Sequence, residues 1–179
     1  MNRTTGLSFL LVALTACGPA VETEESVEEP GCDPWAEVCE VTLLPNWDEH
    51  AVLNLEHASV AVETPSHPPA SLGEGRVRAS IGRYLVLQSE LDEPLVCLLS
   101  EPFEHLDDVP TDASICDCEI GGCWDHTALF GLIGTGNADF ANTGLLLRTS
   151  AGALYRGRVL VADSDHEQSI LTIEYEGVM

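Results

Sequence analysis

Cysteine is the residue type with most chemistry to offer in this chain. Cys32, Cys39, Cys97, Cys116, Cys118 and Cys123 lie downstream of Cys17, and the last three crowd together just before His126. Thiolates beside an imidazole, here Cys116, Cys118, Cys123 and His126, have roughly the number and chemistry of a zinc site. An even set of cysteines in an oxidising compartment reads instead as disulfides. The compartment therefore decides between the two, and export favours disulfides. Cys32 with Cys39 is the easiest local pair. Cys116 and Cys118 point to the same side of an extended segment and are poorly placed to pair with each other. One of them is expected to meet Cys123 and the other Cys97.

Other constellations say less. Asp163, Asp165 and Glu167 crowd one short stretch with Ser164 and His166, as a calcium ion would require. The stretch lacks the EF-hand spacing and its turn glycine, so it reads as a solvated hairpin loop. Gly134, Gly136, Asn137, Asp139 and Asn142 form a polar loop without phosphate-binding spacing. His50 and His57 would share a helix face but oppose each other on a strand. Trp124 and His126 put a flat apolar ring beside a nitrogen donor, which makes them the candidates for a ligand contact. No nucleophile elbow, zinc-protease helix or phosphate loop is present. The sequence thus points to a non-enzymatic role, with neither haem nor calcium favoured as a cofactor.

The elements that must position these groups read mainly as strands. Val77, Ala79, Ile81, Leu85 and Leu87 share one parity, interrupted at Arg83. Leu95 to Leu99 and Ala128 to Ile133 are short apolar runs. Leu145 to Thr149 is a strand, Ser150-Ala151-Gly152 a turn, and Leu154 to Val161 the next strand. There Tyr155, Val159 and Val161 are expected on one face, with Arg156 and Arg158 on the other. Leu171, Ile173 and Tyr175 alternate with Thr172, Glu174 and Glu176. Period-two patterning broken by turn residues predicts a mainly β, antiparallel, meander or sandwich-like single domain with room for one or two short helices. Asn46 to Val62 supports two readings. Asn46 and Glu49 form a capping-box pattern ahead of a helical stripe of Trp47, Ala51, Leu55, Ala58 and Val62. Leu53 with Leu55, and Val60 with Val62, alternate as in strands, and this reading is slightly preferred.

The N-terminus supplies the compartment. Arg3, the apolar run Leu7 to Ala13, and Leu14-Thr15-Ala16-Cys17 resemble a lipoprotein signal with its lipobox. The resemblance implies removal of residues 1–16 and acylation of Cys17, with palmitate among the attached chains. Gly18 after the cysteine implies transfer to the outer membrane of a Gram-negative bacterium. The apolar run is too short to span a bilayer, so the lipid is the expected anchor. Residues 17–31 then read as the lipidated cysteine and an acidic, disordered tether: Pro19, Pro30 and five glutamates cannot bury enough surface to fold. Residues 32–179 are left as one β-rich domain. The full chain has net charge −23 and no lysine. Such a surface repels nucleic acid and anionic headgroups and attracts cations or basic partners.

The tail from Leu145 to Leu160, with Arg148-Thr149 before the turn and Tyr155-Arg156 after it, is similar to a signature near the end of HmuY-like envelope lipoproteins. Ile170 to Tyr175 corresponds to the closing strand. Arg83 to Leu87 resembles another strand of that family, while Phe103, Val109-Pro110 and Trp124 fall at suitable positions. The resemblance implies a β-rich envelope lipoprotein that binds a ligand. The family's best-known members take haem between two histidines. This chain departs from the pattern: Ala79-Ser80-Ile81-Gly82 replaces a Trp-Asp motif, and Glu90 to Pro94 replaces a glycine-rich segment. No histidine pair sits in a ligand motif, so no haem ligand is carried over.

The expected function is a lipid-anchored binding module of the cell envelope, for a small molecule or an envelope protein. The alternatives are a structural or interaction lipoprotein with no small ligand, and an envelope hydrolase without a readable motif. The anchor is open to direct test. Cys17→Ala is expected to abolish acylation and release the domain from membrane fractions. A Cys17→Ala protein that stays in the membrane fraction with normal processing refutes the assignment.

Overall fold

The computed structural model describes residues 31–65, 72, 75–81, 84–89, 96–116, 123–132, 140–164 and 169–178. Cys17, the tether up to Pro30, Cys118, Asp165 and Glu167 lie outside these residues. The described residues form ten strands in order: β1 (Cys39–Leu43), β2 (His50–Asn54), β3 (Ser59–Glu63), β4 (Arg76–Ile81), β5 (Tyr84–Gln88), β6 (Val96–Pro102), β7 (Thr127–Leu132), β8 (Thr143–Arg148), β9 (Leu154–Ser164) and β10 (Ser169–Gly177). Two short 3-10 helices, Leu106–Asp108 and Ala113–Cys116, lie between β6 and β7.

The strands pair into two antiparallel five-stranded sheets, ordered β1-β10-β9-β8-β6 and β3-β2-β4-β5-β7. The meander expected from the tail is present as β8-β9-β10. The strand reading of Asn46 to Val62 also holds, because β2 and β3 pair as a hairpin from His50↔Glu63 to Asn54↔Ser59. The Asn46–Glu49 pattern makes real hydrogen bonds, but in a turn. Asn46 Nδ2 donates to Glu49 Oε2 at 3.0 Å and the Asn46 amide to the Glu49 carbonyl at 2.9 Å. The residues that cap a helix here close the link that carries the chain from one sheet to the other.

The two inner faces meet in one core. Val41, Leu43, Leu53, Leu85, Leu87, Leu145, Leu147, Val159, Leu171 and Ile173 all contribute to it. Val77, Ala79, Ile81, Leu85 and Leu87 keep their common parity across the β4–β5 hairpin, in which Ala79 faces Leu87 and Ile81 faces Leu85. In β9 the expected face pattern fails at one residue. Tyr155 and Val159 are buried, but Val161 is exposed and Ala162 is buried in its place. The register explains the difference, since Thr172 faces Val161 while Ile173 faces Val159. One extra residue in β9 makes a bulge and turns every later side chain to the opposite face.

A second, smaller core lies on the outer face of the first sheet. In β8, Leu145 and Leu147 point into the main core, while Leu146 packs with Cys97, Leu99, Leu106, Val109 and Cys116. A strand buried on both faces needs an unbroken apolar run, and the three leucines supply it. The cover is the segment carrying the two 3-10 helices, held by the Cys97–Cys116 disulfide. Phe103 presses on Gly144, where a β-carbon would stand 2.6 Å from its ring. Arg158 of β9 donates to the carbonyls of Phe103 and Glu104, and Arg156 ion-pairs with Asp107 at 2.9 Å. The same two arginines pair along β10 with Glu174 and Glu176.

The other disulfide, Cys32–Cys39, closes a short loop over one end of the sandwich. Trp35 from this loop packs on Tyr155 with ring centroids 5.3 Å apart, and Tyr155 on Tyr175 at 5.9 Å. The Trp35 ring lies directly on β10, so that a β-carbon on Gly177 would sit 2.3 Å from it. Tyr175 donates its hydroxyl to the Leu55 carbonyl at 3.2 Å, tying the two sheets together.

Leu146→Ala opens a cavity in the second core and is expected to cost about 2–5 kcal/mol in a urea titration. A loss below about 1 kcal/mol, the size of an ordinary surface substitution, contradicts the double burial of β8. Non-reducing peptide mapping should recover Cys32–Cys39 and Cys97–Cys116. The pairing argument from the sequence then assigns Cys118 to Cys123.

Candidate functional site

Among the described residues, those singled out for chemistry are not brought into one site. Cys116 is half of a cystine with Cys97, and Cys123 is also disulfide-bonded. Neither offers a thiolate to zinc, because both sulfurs are already committed. Trp124 is partly buried against the second core, its amide donates to the Cys116 carbonyl, and the Arg148 guanidinium stands 4.5 Å from its ring centroid. That placement uses the ring as packing surface and cation–π partner. The His126 side chain is about half exposed, with Nε2 3.9 Å from Asp125. Asp163 is exposed at the end of β9. Among the described residues no group of three or more His, Cys, Asp or Glu side chains converges as a metal site.

The surface feature that stands out is apolar, and pattern counting along single strands did not find it. Among the described residues the exposed large apolar side chains include Trp35, Val38, Leu44, Trp47, Val60 and Val62, with Ile170 of β10 beside Leu44 and Val161 one strand further on in β9. The first six all belong to the stretch from the Cys32–Cys39 loop through β3. Within that stretch β1 ends the first sheet and β3 ends the second on the same side of the sandwich, while Trp35 lies over the end against Tyr155 and Gly177.

The exposure of β3 has a geometric cause. Val60 faces Leu53 of β2 and Val62 faces Ala51, so both valines lie on the inner face of their sheet. Leu53 and Ala51 are in the core, yet Val60 is 40% exposed and Val62 is 66% exposed. Across the sandwich β1 packs against β2. Among the described strands the second sheet therefore projects one beyond the first, and none stands opposite the inner face of β3. A signal for this was present in the Val60/Val62 alternation. It marks an inner face but cannot say whether another sheet reaches it.

The electrostatics of this side are one-signed. Residues 31–65 carry Asp33, Glu37, Glu40, Asp48, Glu49, Glu56 and Glu63 and contain no lysine or arginine. The cation that reaches it comes from β4: Arg78 is buried and holds Glu63 at 2.9 Å. His50, opposite Glu63, is held below its ordinary value of 6.5 by burial first and by Arg78 second, with Glu63 acting the other way. The imidazole is thus kept neutral against the Arg78 charge.

Comparison with known proteins finds no matching family model, no matching curated protein and no matching solved structure.

His50 gives a pH prediction. A histidine with a lowered folded-state value leaves the unfolded chain binding more protons below pH 6.5. Its contribution to stability is present above that pH and is lost as the pH falls through the window beneath it. His50→Gln should make urea stability less steep with pH in that window than in the unsubstituted protein. An unchanged slope refutes the assignment.

Proposed function

We propose that this chain is a lipid-anchored protein of the outer membrane whose β-sandwich binds another envelope protein without catalysing a reaction. One observation carries the reading: Val60 and Val62, on the inner face of β3, are left exposed at the side where β1 ends the other sheet, in a stretch of chain (residues 31–65) that carries carboxylates and no lysine or arginine. Scattered apolar residues need no explanation, but apolar side chains left open on the inner face of a sheet mark an interaction surface. The acidic charge of this stretch directs the choice of partner, since it repels nucleic acid, anionic headgroups and a second acidic protein while raising the encounter rate with a basic one.

The lipobox resemblance supports the address. Cys17 is the acylated residue, and residues 17–31 link it to the fold. The tether joins the domain beside the β2–β3 turn, because Gly31 lies against the backbone of His57 and Ala58. The HmuY-like resemblance of the tail supports the class, an envelope lipoprotein that captures something, without supplying haem ligands. Trp124 and His126 remain the candidates for a small-ligand contact, and the edge surface is the better supported of the two.

A photo-crosslinking amino acid at position 62 of the anchored protein tests the reading in native membranes. A discrete adduct with one envelope protein is expected, absent when the crosslinker stands at position 161. Adducts equally strong at both positions, or none at position 62, overturn it.

A further inference from the structure

We propose that the β1–β3 side accepts an extended, basic segment of the partner, which adds to the edge of β1 that no described strand occupies, as a sixth strand of that sheet. This rests on the protein-binding reading above and names the kind of partner. β1 pairs with β10 through all five of its residues, from Cys39↔Tyr175 to Leu43↔Leu171, and stands last in its sheet. Its other edge presents main-chain donors and acceptors of the kind that capture an added strand. A strand laid along that edge sits opposite β3, because β3 is the strand that projects past β1. Its inward side chains then land on Val60 and Val62. One occupant thus meets two separate needs, the edge of one sheet and the uncovered inner face of the other. Side chains alternate along a strand, so the partner segment needs apolar residues at every second position.

Charge selects the residues between. The outward positions of the added strand run past Glu40, and its ends approach Asp33 and Glu37 on one side and Asp48 and Glu49 on the other. With no lysine or arginine in residues 31–65, lysine or arginine at those positions gains attraction and glutamate meets repulsion. A second copy of the chain is a poor occupant for the same reason, since each copy carries net charge −23. Pro45 follows β1 and Pro65 follows β3, which limits the edge to a short strand.

The probe is a short capped peptide of alternating lysine and valine, titrated by calorimetry into the mature domain. Three comparison peptides carry glutamate for lysine, N-methyl groups on the amides of one edge, and N-methyl groups on those of the other. The lysine peptide is expected to bind. Its affinity should fall by about tenfold or more in Val62→Glu, stay within twofold in Val161→Glu, and weaken as salt screens the charges. N-methylation of one edge but not of the other should abolish binding, because only one edge faces β1. Val62 is mostly exposed, so Val62→Glu should fold, as a circular dichroism spectrum will show. Equal binding by the glutamate peptide, indifference to N-methylation, or no effect of Val62→Glu overturns the inference. A dimer in sedimentation that Val62→Glu disperses also overturns it, in favour of a second copy. If the peptides fail while the adduct at position 62 persists, the added strand is wrong and the protein-binding reading stands. Loss of both removes the reading itself.

Discussion

The pairing of β10, the last described strand, with β1, the first, is the constraint on which the rest depends. β10 lies between β1 and β9, so the first sheet is completed only when the earliest strand of the domain meets the last. Cys32–Cys39 and Trp35 then seal the junction, with Trp35 seated on Gly177 and Tyr175 reaching across to Leu55. Contacts this distant in sequence are entropically costly to form, and a disulfide that closes a nearby loop offsets some of that cost. Placing β1 at the rim of the first sheet also leaves its outer edge open. Because β1 stands over β2, the β3 hairpin partner projects beyond it. The closure of the fold and the exposed valines are two consequences of one strand order.

Cations are scarce here, and four of the arginines the structure describes do internal work. Arg156 and Arg158 hold the 3-10 segment to the outer face of β9 and pair with Glu176 and Glu174. Arg148 lies over Trp124, and Arg78 holds Glu63. Each of these guanidinium groups has an internal role, so the outward field is set by carboxylates. Arginine suits such tasks because its planar fork can engage a carboxylate, a carbonyl and an aromatic face together. The anionic exterior and the order of the second core therefore share an origin in how few basic residues there are and where they point.

The second core also explains how a sheet face can be closed without a third sheet. Leu99 and Leu146 on adjacent strands make an outward apolar stripe that water would otherwise meet. The first part of the connection from β6 to β7, through Cys116, lies across it, pinned by Cys97–Cys116. Trp124 and Cys123, which stood out in the sequence as candidate site residues, belong to this connection. Their clustering comes from the need to hold a cover in place, and a cover and a binding loop draw on similar residues: aromatic, cysteine and small polar.

The sequence by itself determined the class of the fold, most strand positions, the turn at Ser150-Ala151-Gly152, and the local pair Cys32–Cys39. These follow from period-two alternation, from the positive φ that Gly152 adopts (+89°), and from short loop closure. It also carried the one-signed charge of residues 31–65, which is composition alone. Tertiary structure decided the rest. The bulge in β9 that exposes Val161 is a matter of pairing register with β10, and no pattern within β9 encodes it. The choice of Cys116 as the partner of Cys97 depends on where the covering segment lands. The exposure of Val60 and Val62 depends on how far one sheet extends past the other. A strand's own residues fix which face is apolar, but only packing against a distant part of the chain fixes whether that face is covered.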